Sequence, residues 1–146
     1  MIHEHDSMHR RIDLDRAEAL RLLGSVSLGR LVFTRQALPT VRPVHHILVD
    51  GDIVIRTHEG AALTSQTEAD GTGVVVAYEA DAIDPVTHLG WSVVVTGYAR
   101  PVTDPDELAR ARGLLPLWAA RPGTGRAETD QAMRIRPELV TGVLLT

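Results

Sequence analysis

Arg56, His45 and His58 are the side chains of this sequence whose types and spacing suggest shared chemistry. They flank Asp50-Gly51, which separates the runs Thr40–Val49 and Asp52–Thr57. Asp-Gly between β-branched runs predicts a two-residue type I′ hairpin, because both central residues of that turn need φ > 0. Val49 then pairs with Asp52, Ile47 with Val54, His45 with Arg56 and Pro43 with His58. Opposite residues share a sheet face, so the arginine and two imidazoles gather on one side. Val44, Leu48, Ile53, Ile55 and Thr57 form an apolar opposite face in which His46 is the one misfit, and a one-residue slip would dissolve both faces.

Arginine is a permanent cation with a forked array of donors, and imidazoles can donate beside it. Just beyond, Gly60 permits a turn, and the amides of Ala61, Ala62 and Leu63 would point outward if a short helix starts there. Arginine with free amides is a recurrent phosphate holder. An exposed barrel arginine among solvated histidines is the other reading of the same residues.

The elements that must position these groups read as an antiparallel β protein. Asp13 or Asp15 can cap a helix with Leu14, Ala17, Leu20 and Leu23 as its apolar stripe and Gly24 as its stop. Ser25–Thr34 follows as a strand, in which Gly29 signals a bulge or a close backbone approach. After the hairpin come a polar loop at Thr67–Gly73, a strand at Val74–Glu79, a turn at Asp84-Pro85 and a long strand at Trp91–Arg100. That last strand is apolar on both faces, so its outer face needs a cover such as a second subunit. Trp91 and Tyr98 stand out in a chain with five aromatics; core packing or an interface would each suit them. Asp104-Pro105-Asp106-Glu107 starts a helix with Leu108, Ala111 and Leu115 as its stripe, ended by Pro116. A Pro/Gly/Arg loop at Ala119–Arg126 could serve as a lid, and Met133–Arg136 and Leu139–Leu145 read as two last strands separated by Pro137-Glu138.

Composition narrows the function classes. The 146 residues fit one domain, residues 12–146, behind a frayed arm at 1–11 whose His3, His5 and His9 lack a fixed geometry for a metal. A net charge of −4 argues against a general nucleic-acid binder, and every Lys/Arg position is arginine. With no cysteine, thiol catalysis and cysteine-ligated metals are excluded; the acids Asp70, Glu79, Asp81 and Asp84 read as solvated turn flanks rather than metal ligands. No apolar run approaches a membrane span and the N-terminus lacks a signal-peptide core, so a soluble cytoplasmic protein is expected. No P-loop, dinucleotide fingerprint or nucleophile elbow occurs, so redox chemistry would need a bound cofactor.

The ordered set Gly29–Phe33, Arg42-Pro43-Val44, Asp50-Gly51, Ile55-Arg56-Thr57, Gly60–Leu63 and Gly90–Gly97 resembles the pyridoxamine 5′-phosphate oxidase-like flavoproteins, in particular the nitroimidazole-resistance-type branch, over residues 12–145. The resemblance implies a mainly β (α+β) fold: a six-stranded antiparallel split β-barrel with flanking helices, assembled as a homodimer. It implies FMN, or in some branches a deazaflavin, at the subunit interface, and an oxidoreductase acting on a small organic molecule. Carried over by position, Arg42, Pro43, Val44, His45 and His46 would line the isoalloxazine ring, mainly through backbone. Arg56 and Thr57 would sit at the phosphate, Ala61, Ala62 and Leu63 in the phosphate loop, and Trp91 and Ser92 at the ring edge of the other subunit. The family's usual phosphate-loop lysine is replaced by Ala62. Losing one charge-assisted contact would cost roughly 1.5–3 kcal/mol. A non-catalytic flavin, deazaflavin or haem carrier or sensor, with His45, His46, His58 or His88 on iron, is the rival expectation.

Overall fold

The computed structural model describes residues 9–64, 71–117 and 131–146. Among these residues seven strands form one antiparallel sheet: β1 (Arg11–Asp13), β2 (Leu28–Arg35), β3 (Leu38–Val49), β4 (Asp52–Thr57), β5 (Val74–Ile83), β6 (Gly90–Pro101) and β7 (Gln131–Leu145). The order is β1-β7-β4-β3-β2-β5-β6, and β6 also pairs with β7, so the six long strands close into a barrel while β1 extends the end of β7. Among the described residues three helices accompany it: α1 (Arg16–Gly24), α2 (Gly60–Thr64) and α3 (Pro105–Leu114).

The central hairpin has the expected register: Val49 pairs with Asp52, Leu48 with Ile53, Ile47 with Val54 and His46 with Ile55. Asp50 and Gly51 take φ of 52° and 84°, as the type I′ turn requires. A second hairpin of the same kind joins β2 to β3, with Arg35 opposite Leu38 and Gln36 and Ala37 at φ of 51° and 64°. Nothing in Gln-Ala announces that turn; strand twist imposes the positive φ on residues that adopt it at a cost.

Alternation along the strands fills the barrel. Leu31, Phe33, Val44, Ile53, Ile55, Tyr78, Val93, Val95, Met133 and Ile135 are buried in one cluster with Ala19 and Leu23 of α1 and Leu63 of α2. Asp15 caps α1 by accepting from the Glu18 amide at 2.8 Å. The buried face of α1 uses Ala19 and Leu23, whereas Ala17 of the expected stripe is exposed. Asp104 caps α3 by accepting from the Glu107 amide at 2.9 Å, and Ala111 and Leu115 pack with Val54, Val102 and Ala132 in a second cluster outside the barrel.

The last two expected strands are one. β7 runs from Gln131 to Leu145 and absorbs Pro137-Glu138 as a bulge: Gly97 opposes Pro137 and Thr96 opposes Leu139, leaving Glu138 as the extra residue. Pro137 sits where β7 lacks a β4 partner, so its missing N–H costs no ladder bond on that side. The arm boundary also shifts: Arg10 and Thr146 exchange backbone hydrogen bonds of 2.8 and 2.9 Å, and Arg11 pairs with Leu145. Residues 1–8, the first part of the polar loop (67–70) and the whole Pro/Gly/Arg loop (119–126) lie outside the described residues. No helix among the described residues is long and apolar enough to cross a membrane.

Candidate functional site

β4 is half the length of β3, and this asymmetry makes the site. β2 pairs with β3 from Leu38 to His45, but β4 begins pairing only at His46. The edge of β3 from Pro39 to His45 that faces away from β2 therefore has no strand beside it among the described residues. A strand edge with no strand beside it presents backbone donors and acceptors to whatever lies along it. The ladder also stops one pair short of His45 and Arg56, although the expected register carries through to them.

Beside this edge two guanidinium groups converge on one carboxylate. Arg42 Nε donates to Glu59 Oε1 at 3.0 Å and Arg35 Nη1 donates to Glu59 Oε2 at 3.3 Å. The arginine side chains are 46% and 52% exposed, whereas that of Glu59 is 15% exposed. The Glu59 amide donates to the Thr57 hydroxyl at 3.0 Å, and the Glu59 carbonyl accepts from the Leu63 amide at 3.0 Å. Glu59 is thus fixed between β4 and α2. Arg35 and Glu59 escaped the sequence reading because only the unannounced Gln36-Ala37 turn brings β2 back to this place.

The remaining expected residues divide. Arg56 faces α3, where its Nη1 donates to Leu115 O at 2.8 Å and to Arg112 O at 3.4 Å, capping the C-terminal carbonyls of that helix. Thr57 is buried, and so is Leu63, whose amide is already bonded to Glu59; Ala62 is half-buried. The Ala61 side chain lies outside the described residues, though its backbone belongs to α2. Pro43 and His45 face outward and are half-buried; Val44 faces the core. Trp91 is packed in the barrel cluster and Ser92 faces outward, on β6, which β2 and β5 separate from β3 in sheet order.

His46 is buried, and its misfit on the apolar face is resolved by partners. Nε2 lies 2.8 Å from Leu23 O, which can only accept, so that nitrogen carries the proton. Nδ1 is then the acceptor for the Tyr78 hydroxyl at 2.5 Å. The rings meet edge to face with centroids 5.1 Å apart. Burial holds the imidazole below its ordinary pKa and pushes the Tyr78 phenol far up, so both are neutral. Gly29 makes room for this pair, since a Cβ there would meet the Tyr78 hydroxyl at 2.4 Å. The side chain of His46 is therefore committed to the core, and its amide donates to Ser27 O at 2.9 Å. Tyr78 was missed at the sequence level, where Val74–Glu79 gave no sign of a polar partner for His46.

Two features of the outer surface complete the picture. By register Val41, Val32, Ala77, Thr96 and Leu139 form one transverse row across β3, β2, β5, β6 and β7. Val75, Val94 and Leu139 are among the exposed large apolar residues around it. Beside that row Arg30 Nη1 donates to Glu79 at 2.9 Å and to Asp81 at 3.2 Å. Burial, reinforced by Asp81, nevertheless pushes the Glu79 carboxyl up to about 7.

A closed antiparallel barrel with an open strand edge beside an arginine pair defines a small β-barrel protein. The pyridoxamine 5′-phosphate oxidase family profile matches residues 15–143, and the chain belongs to that family. It is 49% identical over 134 residues to the uncharacterised protein Rv0080 of Mycobacterium tuberculosis, covering 90% of this chain and 84% of that one. A crystal structure of a putative pyridoxamine 5′-phosphate oxidase from Corynebacterium glutamicum is 34% identical, with a TM-score of 0.71 over 94% of this chain and 98% of its own. The structure of an FAD-binding protein from Mycobacterium smegmatis is 27% identical, with a TM-score of 0.62 over 92% of this chain and 97% of its own.

Proposed function

We propose that this chain is a homodimeric flavoprotein that holds FMN along the open edge of β3 and serves as an oxidoreductase for a small organic molecule. The observation that carries the reading is the adjacency of that edge, from Pro39 to His45, to the Arg35–Arg42 pair. A flavin mononucleotide asks for backbone hydrogen bonds at its polar ring edge and cations at its phosphate, and these residues fit both demands. A deazaflavin would meet the same edge. The FAD-binding relative supports the flavin class.

In this reading the backbone of Arg42 to His45 orients the ring, Arg42 and Arg35 hold the phosphate, and α2 with Ala61, Ala62 and Leu63 walls that end. Thr57 anchors the approach to α2 through its bond with Glu59. Arg56 supports the site from behind by fixing α3. When bound, the flavin supplies hydride acceptance and release. Trp91 and Ser92 lie across the barrel from β3, so they reach a β3 site only on a second copy. The apolar row from Val41 to Leu139 is a face suited to that copy.

Purified protein should be yellow with a two-band flavin spectrum, and it should sediment as a dimer. A Soret band would replace this reading with the haem one. Colourless protein that fails to bind added FMN and riboflavin would remove the flavin altogether.

A further inference from the structure

We infer that Glu59 is a built-in counter-anion: its carboxylate occupies the Arg35–Arg42 fork, and the phosphate of the incoming ligand must displace it. The inference rests on the flavin reading for its ligand but on Glu59 for its chemistry. The three residues come from the end of β2, from β3 and from the segment before α2, 24 and 17 positions apart in sequence. They are brought together by tertiary structure alone, unlike the local Arg21–Glu18 pair on α1.

The geometry copies anion recognition. Each carboxylate oxygen accepts from a different guanidinium, as two oxygens of a phosphate monoester would. Glu59 is the least exposed of the three, while both arginine heads reach solvent, so an anion arriving from outside meets the cations first. With Glu59 in the fork the cluster carries a single net positive charge; with Glu59 neutralised it carries two. The chain lacks a lysine to add a further cation, so this one carboxylate sets how much positive charge a phosphate finds. Glu59 therefore lowers affinity for phosphorylated ligands, and with it their advantage over unphosphorylated ones.

The test compares wild type, Glu59→Gln and Glu59→Ala by fluorescence titration with FMN and riboflavin at low and high salt, and by calorimetric titration with inorganic pyrophosphate. Removing a like charge from the fork should tighten FMN by about tenfold, with riboflavin unchanged and the gain shrinking in salt. Adding Arg42→Ala to Glu59→Gln should erase the gain. Equal changes for both flavins, or weaker FMN, would show Glu59 to be a brace for α2 and overturn the inference. If wild type binds neither flavin, the flavin reading fails separately, and pyrophosphate decides: tighter binding by Glu59→Gln keeps the counter-anion, and unchanged binding removes it.

Discussion

Deleting the Tyr78 hydroxyl probes the joint on which the site strand rests. In Tyr78→Phe the ring stays in the core but His46 Nδ1 loses its only donor among the described residues, while Nε2 remains on Leu23 O. A hydrogen bond is worth about 0.5–1.5 kcal/mol, and an acceptor left buried without a partner costs about 1–3 kcal/mol. Both residues are at most 2% exposed, so water cannot easily replace the hydroxyl. The two contributions overlap, and we expect a loss of about 2–3 kcal/mol, or a Tm lower by roughly 6–10 °C for a chain of this size. The double variant Tyr78→Phe/His46→Leu removes Nδ1 together with its donor but leaves Leu23 O without the Nε2 proton, so it should recover only part of that loss. Urea unfolding and thermal melts followed by circular dichroism measure all three chains. A Tyr78→Phe chain within about 0.5 kcal/mol of wild type would mean that the hydroxyl satisfies no buried demand of His46, and the assigned tautomer would fall with it.

Arg42→Ala should weaken FMN by more than about tenfold and spare riboflavin, whereas Arg56→Ala should weaken both equally and cost about 1–2 kcal/mol by uncapping α3, as paired titrations and melts would show. Glu79 has a raised folded pKa, so its contribution is fully present below the ordinary carboxylate range and is lost as pH rises through about 7. Glu79→Gln should flatten that decline in urea-measured stability, an effect of about 1–3 kcal/mol after allowing for its partial exposure. His46 has a lowered pKa, so its contribution is present above about 6.5 and lost on acidification; His46→Leu should remove that acid limb. Ala62→Lys should tighten FMN by about tenfold in low salt without affecting riboflavin. Ala37→Gly should raise stability by about 1 kcal/mol, since Ala37 holds φ of 64° without a glycine's freedom.

Local chemistry made much of this readable. Asp50-Gly51 sets a register that holds over four pairs, and Asp104-Pro105 starts α3 where a cap and a first-turn proline belong. Non-local demands were hidden. Gln36-Ala37 turns because its strands must twist together, and Pro137-Glu138 bends a strand that pairing on its β6 side keeps whole. At the site, parity placed Arg56 and His45 on one face, but a side chain's partner depends on what packs above it. α3 claimed part of Arg56, and Glu59 drew in Arg42 and Arg35, a convergence that no spacing in the sequence encodes.

The long last strand has a consequence for how the molecule comes into being. β2, β3 and β4 are joined by two-residue turns, and β5 and β6 are also consecutive, so these pieces can form early and locally. β7 is made last, yet it supplies the neighbour of both β4 and β6 and the anchor for β1. Until residues 131–145 arrive, two strand edges stand open, each a template for pairing with another chain. Closure across such sequence distances is slow compared with hairpin formation. A nascent chain therefore passes through an adhesive stage that only its final strand ends, and shortening β7 should appear in cells as insolubility before it appears as lost ligand binding.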